Sequence, residues 1–280
     1  MTMEAENQAP KPIDRKKILI IAGIILAVLA LLIALWLILR PNNEELPTEP
    51  ATEATTEAVT EATTEAPTEA TTEPQMLAHM KELYDMNPDV VGWLTIEDTK
   101  VDYPVMHTPD DGEKYLHMDF DGKYDFGGEL FIEDDCSMDP ESDNLIIYGH
   151  NMKNGTMFRA ITEYRDEAFW QDHKTMTFST LYEERTYEVV AAFYDRVYLK
   201  SDTCFKFYQF IDAETEEDFN EAIEYYKAND RYETGVMPQY GDKLLTLVTC
   251  TTVTNYDDGR FVVIAREVPA ENVEEATEVE

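Results

Sequence analysis

Three side chains suited to acyl-transfer chemistry stand at the ends of apolar runs in this sequence. His150 ends the run LIIYGH, Cys250 ends the run LLTLVTC, and Arg260 opens the run FVVIA after a polar turn. A thiolate attacks a carbonyl, an imidazole protonates the leaving amine, and a guanidinium stabilises the developing oxyanion. If the last two runs pair as antiparallel strands, Cys250 and Arg260 lie opposite each other at one rim of a sheet. The pattern indicates acyl transfer by a cysteine, with no metal required.

These residue types also have structural explanations. A cysteine in an apolar strand is most often a small core residue, and an arginine at the start of a strand is most often exposed. Composition and spacing alone therefore leave a cysteine enzyme as one option among several. The chain has three cysteines, so at least one is unpaired within the monomer. Cys136 and Cys204 lie beside no matching motif, and we interpret both as non-catalytic.

The remaining histidines show no metal-ligand spacing such as HExxH, which predicts surface or helix-face positions for them. They are His79, His107, His117 and His173. The formal net charge of −36 repels phosphate backbones and anionic headgroups, so nucleic-acid binding and docking on anionic lipid are both disfavoured.

Short β-rich runs separated by Gly, Pro, Asp and Asn fill most of residues 75–268. This pattern is typical of a barrel or sandwich. Two helices are predicted beside the strands, over 76–86 and over 214–228, each with apolar residues on one face. The sequence therefore predicts one mainly β domain that carries helices. The predicted strands cover 90–96, 101–106, 129–132, 145–148, 176–180, 186–199, 244–249 and 261–265.

The N-terminal part of the chain predicts a membrane anchor. Residues 18–39 form an uncharged apolar run, which as a helix would span about 33 Å and cross a bilayer. A cleaved signal peptide is the alternative, but its apolar region would be shorter and would end at a small-residue cleavage site. Basic residues precede the run and acidic residues follow it, so residues 1–17 are expected in the cytoplasm. Everything after Arg40 is then expected outside the cell, on a single-pass membrane protein.

Two acidic segments flank the predicted domain. Residues 40–74 repeat Thr, Glu, Ala and Pro without an aromatic residue, and such a segment has too little apolar surface to fold. We expect a disordered stalk there and a disordered acidic tail over 269–280. The stalk would hold the domain at some distance from the bilayer, in the zone of the cell wall.

Several motifs together resemble the sortases, and class B in particular. The segment TLVTC, which ends at Cys250, matches the family signature TLxTC, and Arg260 follows where the family carries its catalytic arginine. The segments NPDVVGWLTI, VDYPV, KYLHMDFDGKYDFGGELFI and SDNLIIYGHNM are also similar to class B. The likeness covers nearly all of 75–268 and keeps the order His, Cys, Arg. It implies a sortase-type closed β-barrel, in which the helix near 214–228 resembles the additional helix of class B.

The resemblance also implies a two-step reaction that uses no cofactor. Cys250 would cleave the C-terminal sorting signal of a secreted protein after its threonine and form a thioacyl enzyme. An amine of a peptidoglycan precursor in a Gram-positive envelope would then release the product as an amide. His150 would act as general acid and base, and Arg260 would bind the threonine carbonyl oxygen. Leu116 and Tyr148 would line the groove for the signal.

The sequence leaves the acceptor and the signal open. A sortase that polymerises pilins would use a protein lysine as the acceptor, and an anchored cysteine peptidase would use water. A catalytically silent adhesion domain on a stalk is a non-enzymatic alternative. Class B relatives often take NPQTN-like signals and other sortases prefer LPxTG-like ones, so either motif fits this sequence.

Overall fold

The computed structural model describes residues 75–251, 253 and 258–269. The predicted anchor at 18–39, the predicted stalk at 40–74 and residues 270–280 of the predicted tail lie outside these residues. In the described part of the chain, no helix has the length and apolar character needed to cross a membrane.

Eight strands close into a barrel, which confirms the predicted mainly β domain. Each predicted strand is present, with its ends shifted by a few residues. Around the barrel the strands follow the order β1-β2-β3-β4-β7-β8-β6-β5. The strands are β1 (Val90–Thr95), β2 (Asp102–Met106), β3 (Leu130–Ile132), β4 (Asn144–Tyr148), β5 (Thr175–Thr180), β6 (Glu184–Arg196), β7 (Leu244–Cys250) and β8 (Gly259–Glu267).

Strands β4, β7 and β8 form the part of the barrel that carries the predicted chemistry. β4 and β7 pair in parallel, with Tyr148 opposite Val248. Parallel strands that are buried on both faces appear in sequence as unbroken apolar runs, which explains LIIY and LLTLV. Because both strands run in the same direction, their C-terminal ends meet at one rim of the barrel. β8 pairs antiparallel to β7 and begins at that same rim.

Helices and 3₁₀ turns pack outside the barrel. The longest helix begins at its N-cap Thr215, whose hydroxyl accepts a hydrogen bond from the backbone N–H of Asp218. Its apolar face lies on β6, where the rings of Tyr226 and Phe193 stack at 5.9 Å. The short second helix was not predicted, because fewer than two turns give no periodic pattern. The helices are α1 (Ala78–Met86), α2 (Glu167–Asp172) and α3 (Glu216–Asn229).

Candidate active site

Cys250 is the last residue of β7 and the first exposed one, since the six residues before it are buried. Its thiol is free. It lies opposite Arg260 of β8, which is the pairing that the sequence predicts. The side-chain amide of Asn151 donates to the Cys250 carbonyl oxygen at 2.9 Å and fixes the backbone of this strand end. The rim therefore presents a thiol and a guanidinium side by side.

Within the part of the chain that the structure describes, Arg260 uses little of its hydrogen-bonding capacity. One Nη1–H donates to the carbonyl oxygen of Gly259 at 3.1 Å. Among the residues that the structure describes, no carboxylate forms an ion pair with this guanidinium. A guanidinium has five N–H donors, so several remain for an oxygen of a substrate.

His150 follows β4 and is brought to the same rim by two hydrogen bonds. The backbone N–H of Gly149 donates to the carbonyl oxygen of Val248 at 3.2 Å. The hydroxyl of Thr249 donates to the carbonyl oxygen of Gly149 at 2.6 Å. These bonds carry the parallel pairing past the end of β4, so His150 comes level with Cys250.

The imidazole of His150 is held by a backbone carbonyl and by aromatic rings. Its Nε2 lies 3.0 Å from the carbonyl oxygen of Leu116. A carbonyl oxygen only accepts hydrogen bonds, so Nε2 is the donor in this contact. The ring stacks against His117 at 5.2 Å and Phe126 at 6.0 Å. This arrangement leaves one ring nitrogen available for proton transfer.

The five predicted site residues line one cavity of about 110 Å³: Leu116, Tyr148, His150, Cys250 and Arg260. A larger cleft of about 660 Å³ shares Leu116, Tyr148 and Arg260 with it. An extended substrate could therefore occupy the cleft while one of its carbonyls enters the cavity. The cleft has an acidic lining: Asp110, Asp111, Glu113, Glu133 and Asp134. Within residues 75–251, 253 and 258–269, no group of three or more His, Cys, Asp or Glu could hold a metal ion.

Tyr148 is fixed in the wall of the cleft by a short hydrogen bond. Its hydroxyl donates to Oε2 of Glu133 at 2.6 Å, and its ring stacks on Phe131 at 5.6 Å. Burial and the neighbouring Glu133 carboxyl raise the pKa of Tyr148 far above its usual range. Burial raises the pKa of Glu133 to about 7, against the lowering effect of the Tyr148 hydrogen bond. The charge of this wall therefore changes near neutral pH.

Sequence reasoning missed three residues of the site: His117, Phe126 and Glu133. His117 is exposed, as the sequence predicts, but its ring also stacks against His150. No sequence pattern relates residues 117 and 126 to residue 150. Glu133 directly follows an apolar strand, and that position alone does not predict its burial beside Tyr148.

The other two thiols differ from Cys250 in their surroundings. Cys136 is buried, and its sulfur lies 3.5 Å from the carbonyl oxygen of Asn144. Burial raises the pKa of the Cys136 thiol to about 12, so this thiol stays protonated. Cys204 is exposed and free, but it lines neither the cavity nor the cleft. Both positions support the prediction that these thiols are non-catalytic.

Comparison with known proteins identifies relatives of this domain. The family model described as the sortase domain matches residues 94–268, which include all three of the predicted catalytic residues. The chain is 32% identical over 186 residues to sortase B of Listeria monocytogenes, an alignment that covers 66% of this chain and 72% of that protein.

Solved structures show the same fold. A substrate complex of sortase B from Staphylococcus aureus superposes with a TM-score of 0.62 at 24% identity, covering 70% of this chain and 87% of that one. Sortase B from Bacillus anthracis superposes with a TM-score of 0.60 at 27% identity, covering 69% and 85% of the two chains.

Proposed function

Because this chain belongs to the sortase family of cysteine transpeptidases, we propose that Cys250 is its nucleophile and that His150 and Arg260 are the catalytic partners. The observation that carries the proposal is the single cavity of about 110 Å³ that all three side chains line. A peptide carbonyl in this cavity would meet a thiol, an imidazole and a guanidinium together.

The first step forms a thioacyl enzyme. Nδ1 of His150 takes the proton of the Cys250 thiol, and the sulfur attacks the carbonyl carbon of the threonine in a sorting signal. N–H donors of Arg260 stabilise the oxyanion that develops on the threonine carbonyl oxygen. The C–N bond then breaks, and His150 returns the proton to the departing amine.

The second step transfers the acyl group to an amine of a peptidoglycan precursor. The amine attacks the thioester, a new C–N bond forms as the C–S bond breaks, and His150 passes the amine proton to the sulfur. The same residues would also transfer the acyl group to a lysine side chain of a pilin subunit. If water were the acceptor, the enzyme would be a peptidase. The product therefore distinguishes these three functions.

Leu116 and Tyr148 would bind the residues of the signal that precede the scissile bond. Both side chains line the reactive cavity and the larger cleft beside it, so they lie where a bound peptide would pass from one to the other. The Staphylococcus aureus neighbour is a complex of sortase B with a substrate. By analogy, a sorting-signal peptide would be the substrate of this chain.

The N-terminal sequence supports an anchored protein. We place a single membrane-spanning helix at 18–39 between a cytoplasmic segment at 1–17 and an extracellular stalk at 40–74. The catalytic domain at 75–268 and the acidic tail at 269–280 would then face the wall of a Gram-positive cell. Protease treatment of intact cells should release the domain, because cleavage in the stalk needs access only from outside.

The decisive experiment combines the full chain with labelled sorting peptides, one NPQTN-like and one LPxTG-like, and a primary amine. We expect an amide product from one of the peptides, and none from the Cys250→Ala variant. Cys204→Ala is the matched control, since it removes the other exposed thiol and should leave the product unchanged. The assignment is wrong if Cys250→Ala still processes the peptide.

The ratio of free acid to amide tests the peptidase alternative, because a peptidase forms mainly acid at physiological amine concentration. Mass spectrometry of the linked product from cells separates the two acceptors. The new amide would lie on cell wall in one case and on a protein lysine in the other.

A further inference from the structure

Two large aromatic side chains stand exposed on the turn that brings His117 against the imidazole of His150. Tyr124 is 78% exposed and Phe126 is 63% exposed. The ring of Phe126 lies 5.7 Å from that of His117 and 6.0 Å from that of His150, and the Tyr124 ring lies 6.1 Å from His117. We call His117, Tyr124 and Phe126 the aromatic platform. Clustered exposed rings next to a reactive group indicate a binding surface.

The backbone, rather than burial, places the aromatic platform. A bridge joins Met118 to Tyr124, and the N–H of Asp125 donates to the carbonyl oxygen of His117 at 3.1 Å. Gly122, with φ of +78°, makes the turn between them. The rings are therefore held outward by a hydrogen-bonded turn, although the core gains nothing from their position.

The turn that carries the platform is also acidic. Asp119, Asp121 and Asp125 lie on it, and its one cation, Lys123, pairs with Asp121 at 3.0 Å. A cation over an aromatic face is attracted by the ring quadrupole, and nearby carboxylates strengthen that attraction. The surface thus favours an ammonium group and disfavours anionic lipid.

The second step of the proposed reaction needs an amine at this place. The amine must come within hydrogen-bond distance of His150 to give up its proton. Leu116 and His150 line the cavity that would hold the acyl group, whereas His117 and Phe126 stack on the imidazole of His150 without lining that cavity. The remainder of an amine-bearing molecule would then extend over these rings.

We propose that the aromatic platform is the docking surface for the acceptor, and that it favours a protonated primary amine on a flexible aliphatic chain. This inference rests on the proposed function and names the acceptor side of the same site. The docked ammonium loses one proton to solvent before it attacks. The C–N bond then forms as the C–S bond breaks, and the second amine proton passes through His150 to the sulfur of Cys250.

The test measures how the thioacyl enzyme divides between amine and water. The full chain receives a saturating sorting peptide and increasing Nα-acetyl-lysine amide, and the ratio of amide to acid product is recorded. This ratio is set after the thioacyl enzyme has formed, so changes in peptide binding do not alter it. Tyr124→Ala and Phe126→Ala should each raise the amine concentration needed for a given ratio by about 2- to 5-fold.

Two control variants isolate the ring itself. Tyr124→Phe keeps the aromatic face and should behave like the unchanged protein. Tyr240 is half exposed and lies before the opposite end of β7, so Tyr240→Ala should also leave the ratio unchanged.

Hydroxylamine separates docking from support of His150, because it is a small nucleophile that is uncharged at neutral pH. With hydroxylamine as acceptor, the ratio for Tyr124→Ala should match that of the unchanged protein, because the Tyr124 ring lies against His117. If the ratio of amide to acid product falls equally with hydroxylamine, the rings support His150. If the ratio is unchanged with the lysine derivative, the rings do not dock the acceptor. Either result overturns the inference. Failure of the proposed function looks different, because the unchanged protein would then form neither acid nor amide.

Discussion

The two ends of strand β8 carry arginines in opposite situations. At its C-terminal end, Arg266 forms ion pairs with Glu188 and Asp242. At its N-terminal end, the guanidinium of Arg260 donates to the carbonyl oxygen of Gly259, and no carboxylate in the described part of the chain pairs with it. Among the described residues, the charge of Arg266 is neutralised by carboxylates, whereas that of Arg260 is not.

The same contrast extends to the neighbouring strands. Lys243, just before β7, binds Asp143, just before β4, at 3.0 Å, and also donates to the carbonyl oxygens of Glu141 and Ser142. The polar groups at this paired end satisfy one another, which stabilises the register of the parallel strands. At the other end of these strands, the cavity end, the described residues accept only one hydrogen bond from Arg260. Among the described residues, the guanidinium at the cavity end can therefore stay without a carboxylate partner, because the paired end holds the strands in register.

Replacing each of the two arginines by alanine should give the largest difference in kcat/KM between the two ends of β8. Arg260→Ala should lower kcat/KM for transfer by about 100- to 1000-fold, since it removes the donors for the oxyanion. Its unfolding free energy should change little. Arg266→Ala should reduce that free energy by about 1 kcal/mol, because the pair with Glu188 is partly exposed, and should change kcat/KM by less than about 3-fold. Transfer kinetics and urea unfolding measure both quantities, and similar kinetic losses in the two variants would refute the contrast.

Two buried threonines of β7 allow a second comparison of the two ends, with smaller expected effects on kcat/KM. Thr249 donates to the Gly149 carbonyl oxygen at the cavity end, and Thr246 donates to the side-chain oxygen of Asn144 at the paired end. Thr249→Val and Thr246→Val should each lose about 1–2 kcal/mol of unfolding free energy, because each leaves a buried acceptor without its donor. Only Thr249→Val should also lower kcat/KM, by about 10-fold, since it frees the backbone before His150. Equal kcat/KM in the two variants would show that this bond does not position the imidazole.

The strands and the pairing of Cys250 with Arg260 could be predicted because they have local causes. An apolar run that ends at a reactive side chain places that residue at a strand end, and the turn before Arg260 sets it opposite Cys250. The parallel pairing of β4 with β7 joins residues about a hundred positions apart, and no spacing in the sequence predicts it. The pattern of strands predicted a barrel or a sandwich, and the family resemblance selected the closed barrel.

The missed residues depend on contacts between distant segments. His117 and Phe126 lie on one locally hydrogen-bonded turn, but its placement beside His150 joins segments that are distant in sequence. The pKa of Glu133 rises because of burial, which no local pattern of charges reports. The anchor at 18–39 and the stalk at 40–74 stay predictions from composition.

The smallest expected effect concerns two carboxyls that flank β3 near the cavity, Glu129 and Glu133. Burial raises the pKa of each to about 7. A folded carboxyl with a raised pKa binds its proton more tightly than the unfolded chain does, so stability is lost as the pH rises from about 4.5 to 7.

Glutamine mimics the protonated carboxyl at all pH values. Glu129→Gln and Glu133→Gln should therefore match the unchanged protein at pH 5 and exceed its unfolding free energy at pH 8 by about 1 kcal/mol each, a value reduced for partial exposure. Urea unfolding across this range measures the difference. Thr246→Val, at the paired end, removes no titratable group. Its unfolding free energy should therefore fall with pH as steeply as that of the unchanged protein. If the unfolding free energy of the glutamine variants falls with pH just as steeply, these carboxyls are already ionised at low pH. The cavity end would then carry more negative charge than the burial of the two carboxyls implies.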